Sequence, residues 1–196
     1  MKAKIVGIEK KRGGEWRLSF AIAAPAGVRR MSFRIKEEKC KELDTLEIGE
    51  VLDEERYLLF AVEEEKRAAL DKAVQILSMG DNSRRGLYRK LKMRGFTEEG
   101  ATYAVSTLVK KGYLDEEKML DRQFAVFAAK KTGMLKIASS LSQKGFSSEM
   151  IEEARQRARN AGVYDEEEIK MALAQENPDL TRQEWQKLLK KHGFVS

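Results

Sequence analysis

One feature of this sequence limits the fold more than any other: a repeat with a period of about 50 residues. Gly95-Phe96 and Gly145-Phe146 lie 50 positions apart, and Gly193-Phe194 follows 48 positions after Gly145. The first two glycines are each followed 17 positions later by another, Gly112 and Gly162, and three residues beyond stand Asp115 and Asp165. Counting back eight and four positions from each Gly-Phe glycine gives Leu87 and Leu91, Ile137 and Leu141, Trp185 and Leu189. Apolar residues at that spacing share one stripe of a helix. The glycine then supplies a left-handed C-terminal cap, the phenylalanine packs back, and Thr97 or Ser147 caps the next helix. The pattern predicts a three-helix unit used three times, over 63–113, 114–163 and 164–196, the third lacking its last helix. Units this small gain by stacking on neighbours, so an elongated, curved array is expected.

Residues 1–62 read differently. Segments 4–10, 15–22 and 28–35 are rich in β-branched and aromatic residues and are separated by Gly13-Gly14 and by Pro25 to Gly27. Trp16, Leu18, Phe20 and Ile22 fall at period two, as do Met31, Phe33 and Ile35, so three antiparallel strands with one buried face are predicted. A short helix is predicted over 37–46, closed near Gly49. The fold class is therefore mainly α, tandem three-helix repeats behind a small β-rich (α+β) domain. Having only two prolines, Pro25 and Pro178, leaves most of the chain free to be helical.

Lysines and arginines number 38 against 32 acids, a net charge of +6. That balance hints at an anionic partner, and its distribution says more. Acids open the first helix of each unit: Glu63, Glu64 and Glu65; Asp115, Glu116 and Glu117; Asp165 to Glu168. Complementing the dipole of their own helix explains them. Second helices carry the opposite sign. Between Ser83 and Phe96 stand Arg84, Arg85, Arg89, Lys90, Lys92 and Arg94 with no acid among them, and Arg85, Arg89 and Lys92 share the face opposite Leu87 and Leu91. The candidate binding residues are Arg84, Arg85, Arg89 and Lys92, then Lys130, Lys131, Lys136 and Lys144, then Lys187, Lys190 and Lys191. Such unmatched cations repel one another, and a phosphate or carboxylate partner would relieve them. Most aromatic residues read as core, whereas Tyr88 stands beside the cationic cluster.

Catalytic chemistry has no foothold in this pattern. Cys40 is the sole cysteine and His192 the sole histidine, the latter placed at a helix end. No Walker-type loop occurs, Gly13-Gly14 reads as a hairpin turn, and the carboxylates show no catalytic spacing. A non-enzyme without cofactor or metal is expected. No apolar stretch is long enough for a signal peptide or a bilayer, so a cytoplasmic monomer without membrane partners is expected.

The run Asn82-Ser83-Arg84-Arg85-Gly86-Leu87 with Lys90-Leu91 and Arg94-Gly95-Phe96, then Gly112-Tyr113-Leu114-Asp115-Glu116, then Gly133 to Ile137, Leu141 and Lys144-Gly145-Phe146, resembles the RecX regulators of the bacterial RecA recombinase. The resemblance is clear over 68–162. It implies a protein that binds the RecA–DNA filament within its helical groove and dampens ATP hydrolysis, strand exchange and filament growth, in homologous recombination, DNA repair and the SOS response. Gly86 stands where that family usually has a glutamate, so a weaker start to its helix is expected. The competing expectation is a DNA-binding regulator of helix-turn-helix type, or a single-strand-binding module, with weak sequence preference.

Overall fold

The computed structural model describes residues 2–25 and 27–194. Ala26, in the predicted break between the second and third strands, and Val195 and Ser196, at the end of the predicted third repeat, lie outside the described residues.

Strands β1 (Ala3–Lys10), β2 (Glu15–Ala24), β3 (Gly27–Lys36) and β4 (Val51–Leu52) form one antiparallel sheet in the order β3-β2-β1-β4. The register sets Trp16 opposite Ile35, Leu18 opposite Phe33 and Phe20 opposite Met31, so the period-two residues face inward together. Tyr57 and Phe60 cover this face from α1 (Glu54–Ser78), and Tyr57 meets Phe20 edge-on at 5.5 Å between ring centroids.

Helix α1 begins nine residues before the predicted start at 63. Asp53 starts it, its Oδ1 accepting from the Arg56 amide at 2.9 Å, and the added turns carry the aromatic lid. Glu63, Glu64 and Glu65 therefore lie inside a helix instead of opening one. Glu64 accepts from the Arg34 amide at 2.7 Å on the edge strand, and Glu65 accepts from the Thr97 amide at 2.6 Å. Segment 37–46 forms two 3₁₀ turns, Glu37–Lys39 and Leu43–Thr45, in place of the predicted α-helix. The Glu37 amide is taken by Gly14 O at 2.8 Å, which ties the segment to the first hairpin, while Leu43 and Leu46 drop into the core.

The repeats follow as α2 (Arg84–Lys92), α3 (Glu98–Lys110), α4 (Glu116–Ala129), α5 (Met134–Gln143), α6 (Ser148–Asn160), α7 (Glu166–Glu176) and α8 (Arg182–His192). Ser83, Asp115, Ser147, Asp165 and Thr181 cap helix starts, and Gly95, Gly145 and Gly193 take φ of 86°, 92° and 89° at the ends of α2, α5 and α8. Leu87, Leu91, Ile137 and Leu141 are fully buried. Tandem three-helix repeats behind a small β-rich domain are thus the architecture. The chain divides into two compact units: one runs to Lys72 and includes Gly95–Ala104, and the other holds Ala73–Arg94 and everything from Val105 onward.

On the outward face of the sheet, Arg17 stands directly opposite Arg34. Like charges so placed destabilise by roughly 0.2–1 kcal/mol. Arg34→Thr, which removes the clash and adds a β-branched residue, is expected to hold or raise the melting temperature. A thermal melt showing a clear loss would mean that the arginine side chain supports the fold.

Candidate functional site

Every α-helix end leaves backbone groups without a partner, and the second helices of these repeats pair them with one another. Before α2, the Ser83 amide donates to Lys144 O at 3.1 Å, at the C-terminal end of α5. Ser83 Oγ donates to the same carbonyl at 3.2 Å and accepts from the Gly86 amide at 2.9 Å. Before α5, the Gly133 amide donates to His192 O at 2.9 Å and the Leu135 amide to Gly193 O at 3.1 Å, at the end of α8. Helices α2, α5 and α8 thus meet C-terminus to N-terminus, the arrangement that their dipoles favour.

Glutamates brace both joints. Glu116 Oε1 accepts from the Arg84 amide at 2.8 Å, and Glu166 Oε1 accepts from the Met134 amide at 2.9 Å. The two glutamates occupy the same position 50 residues apart, as do the two amides. This corrects the sequence reading of these acids. Asp115 and Asp165 cap their own helices, whereas Glu116 and Glu166 serve the second helix of the preceding repeat.

Close approach at the joints requires glycine. A Cβ on Gly86 would lie 2.0 Å from Lys144 O, and one on Gly133 would lie 2.4 Å from Gly193 O. Gly86 therefore does not mark a weak helix start; it lets α5 reach Ser83. Beside the second joint, the buried Tyr164 hydroxyl donates to Thr132 O at 3.0 Å. Burial, and then the neighbouring Glu166 charge, push this phenol well above the usual tyrosine range.

The candidate cations fall into two groups. Arg84 pairs with Glu116 at 3.1 Å, Arg89 donates to Gln143 O at 3.1 Å, Lys136 donates to Lys191 O, Lys144 donates to Gln123 Oε1 at 3.0 Å, and Lys131 pairs with Glu176. These five lie at or beside the joints. Arg89 and Lys136 each meet the last carbonyls of a neighbouring second helix, its negative end. Arg85, Lys92, Lys130, Lys187, Lys190 and Lys191 are exposed, and their side chains have no partner among the described residues. His192 sits at a helix end, its Nδ1 donating to Lys131 O at 2.7 Å. Tyr88 is half-buried. Sequence reasoning missed Glu116, Glu166 and Gly133 as joint residues. The signal for the glutamates was available, because each directly follows a capping aspartate in successive repeats.

A curated regulatory protein RecX from Chlorobaculum tepidum is 29% identical over 134 residues, which are 67% of this chain and 84% of that protein. The crystal structure of a regulatory protein RecX has the same fold, with a TM-score of 0.62 at 22% identity over 99% of this chain and 95% of that one. The chain is thus similar to the RecX regulators in sequence and in fold. Residues 64–108 also match a family described as host cell surface-exposed lipoprotein, over a stretch from the middle of α1 to near the end of α3. That match is confined to one helix trio, whereas the RecX likeness takes in the sheet and every repeat. Among the described residues, no helix is long and apolar enough to cross a membrane.

The first joint makes Gly86→Ala a test with two signs. Alanine in a free helix stabilises by about 1 kcal/mol relative to glycine. At this joint it is expected to cost about 1–3 kcal/mol, because the new methyl group must push Lys144 O away. Urea unfolding measures which effect wins. Asp115 and Asp165 are held below the usual aspartate range, chiefly by the amides of Lys118 and Glu167. A depressed folded pKa means that the unfolded chain takes up protons first. Their stabilisation is thus complete above the ordinary aspartate pKa and is lost as pH falls through the folded values. Asp115→Asn with Asp165→Asn is expected to flatten the acid limb of a stability–pH curve, and an unchanged limb would remove these caps from the account.

Proposed function

We propose that this chain is a RecX-family regulator that binds the RecA–DNA filament and restrains its ATP hydrolysis, strand exchange and growth. The observation that carries this reading is the joint repeated at both junctions of the second helices. Hydrogen-bonded ends, bracing glutamates and glycine contacts hold α2, α5 and α8 in a fixed succession, and that succession presents the unpaired cations Arg85, Lys92, Lys130, Lys187, Lys190 and Lys191. In this reading the repeats 63–113, 114–163 and 164–196 are the binding modules, preceded by the domain 1–62. Weak contacts held at fixed spacing combine through effective concentration, provided that the spacing matches the target. A body that engages several filament subunits in one arrangement favours that arrangement over those needed for turnover and exchange. The reading places the protein in the cytoplasm as a monomer that acts by binding, without cofactor or catalysis.

The single-strand-dependent ATPase of RecA, titrated with this protein, tests the proposal. Wild-type protein is expected to lower the rate in proportion to filament occupancy, and an unaffected rate would end the filament reading. Arg85→Glu with Lys92→Glu alters exposed cations that make no joint, so inhibition is expected to need about tenfold more protein while melting stays unchanged. Inhibition at wild-type concentrations by that variant would remove α2 from the interface. A helix-turn-helix reader would instead bind one duplex selectively over random DNA at physiological salt.

A further inference from the structure

The outward face of the N-terminal sheet belongs to no joint, and its charges are left unexplained by the repeats. Alternation along β2 and β3 brings Arg17, Ser19 and Ala21 beside Arg34, Ser32 and Arg30 on this face, and β1 adds Lys4 and Gly7. The four cations are exposed. The centre of the face is flat: Ser19 Oγ lies 2.9 Å from Ser32 Oγ, and Gly7 leaves the neighbouring position without a side chain. Of the acids there, Glu9 stands directly opposite Arg17 and pairs with it at 4.0 Å and with Lys11 at 2.7 Å, and Glu15 stands at the hairpin end opposite Lys36. The side chains of Lys4, Arg30, Arg34 and Lys36 meet no acid among the described residues.

Charge on an edge strand discourages pairing with another sheet, which explains a cation on β3. It does not explain Lys4 on interior β1, or Arg34 set directly opposite Arg17, whose acid is Glu9 on the other side. Those positions carry repulsion that an anionic partner would relieve. Along β3, Arg30, Ser32, Arg34 and Lys36 present donors at every second residue, a step of about 6.8 Å. That step is comparable to the one between successive phosphates of a nucleic-acid strand. Among the described residues no aromatic side chain stands on the face, so it lacks the stacking platform that single-strand binders use.

We propose that the outward face of the N-terminal sheet binds the phosphodiester backbone of duplex DNA without base specificity. Small central side chains let the backbone approach, and the flanking arginines grip phosphates with their forked donors. The inference is independent of the filament reading, since its test contains no RecA.

The test is fluorescence anisotropy of a labelled random-sequence duplex titrated with the full chain at several salt concentrations. Wild-type affinity is expected to fall linearly on logarithmic axes as salt rises. Arg30→Thr with Arg34→Thr should weaken binding at least about tenfold near 0.1 M salt and make that slope shallower by about 2. Lys110→Gln with Lys111→Gln, which removes the same net charge from exposed positions at the end of α3, should stay within about twofold of wild type. Arg17→Gln with Lys36→Gln provides a second sheet variant should the first fold poorly, with the same loss expected. Wild-type affinity in a folded sheet variant, or an equal loss in the α3 control, would overturn the proposal. So would tighter binding to single-stranded DNA of the same sequence, or displacement of the duplex by poly-glutamate as readily as by unlabelled duplex.

Discussion

The repeats depend on one interaction, the hydrogen bonding of one helix's last carbonyls to the first amides of another. Ser83 with Lys144 forms the first instance, and Gly133 and Leu135 with His192 and Gly193 form the second. These groups would otherwise be left unpaired at the ends of helices of nine to eleven residues, too short to be stable alone. Pairing them satisfies both ends at once and aligns the helix dipoles. The glycines permit the approach, and Glu116 and Glu166 place negative charge at the receiving end. The series closes at α8, whose start is satisfied from within by the capping box of Thr181 and Glu184.

Much of the fold was legible because capping chemistry is local. A serine or aspartate before an apolar stripe and a glycine after it mark helix ends wherever the chain goes, and Ser83, Asp115, Ser147, Gly145 and Gly193 stand at such ends. The three long strands were legible from period-two burial, and the first hairpin from Gly13-Gly14. What escaped was set by tertiary partners. Nothing near Asp53 in sequence reveals that the turns after it are needed to lid the sheet with Tyr57 and Phe60. The segment after Lys36 has helical composition, but Gly14 holds its first amide. Gly86 looks like a lost cap until Lys144, distant in sequence, is seen against it.

The candidate cations were legible as a set, but their division was not. Arg85 and Arg89 are the same residue type on the same face of α2. One is exposed without a partner among the described residues, whereas the other reaches the Gln143 carbonyl at the end of α5. Their difference lies in the neighbouring helix, which a single-helix reading does not contain.

The joints also change what the net charge means. Acids that brace or cap are drawn inward: the side chains of Glu116, Glu166 and Asp165 are 14%, 21% and 25% exposed, and that of Glu64, behind the edge strand, is 20%. Beside Glu116 and Asp165 the arginines stay outside, with Arg84 at 54% and Arg159 at 62%, whereas Arg67 is drawn in with Glu64. A carboxylate held at a helix start has its charge matched by amides and the dipole, and projects little field into solvent. A cation on a long, exposed stem projects more. At the joints, folding gives Glu116, Glu166 and Asp165 structural work at helix ends and turns Arg84 and Arg159 toward solvent.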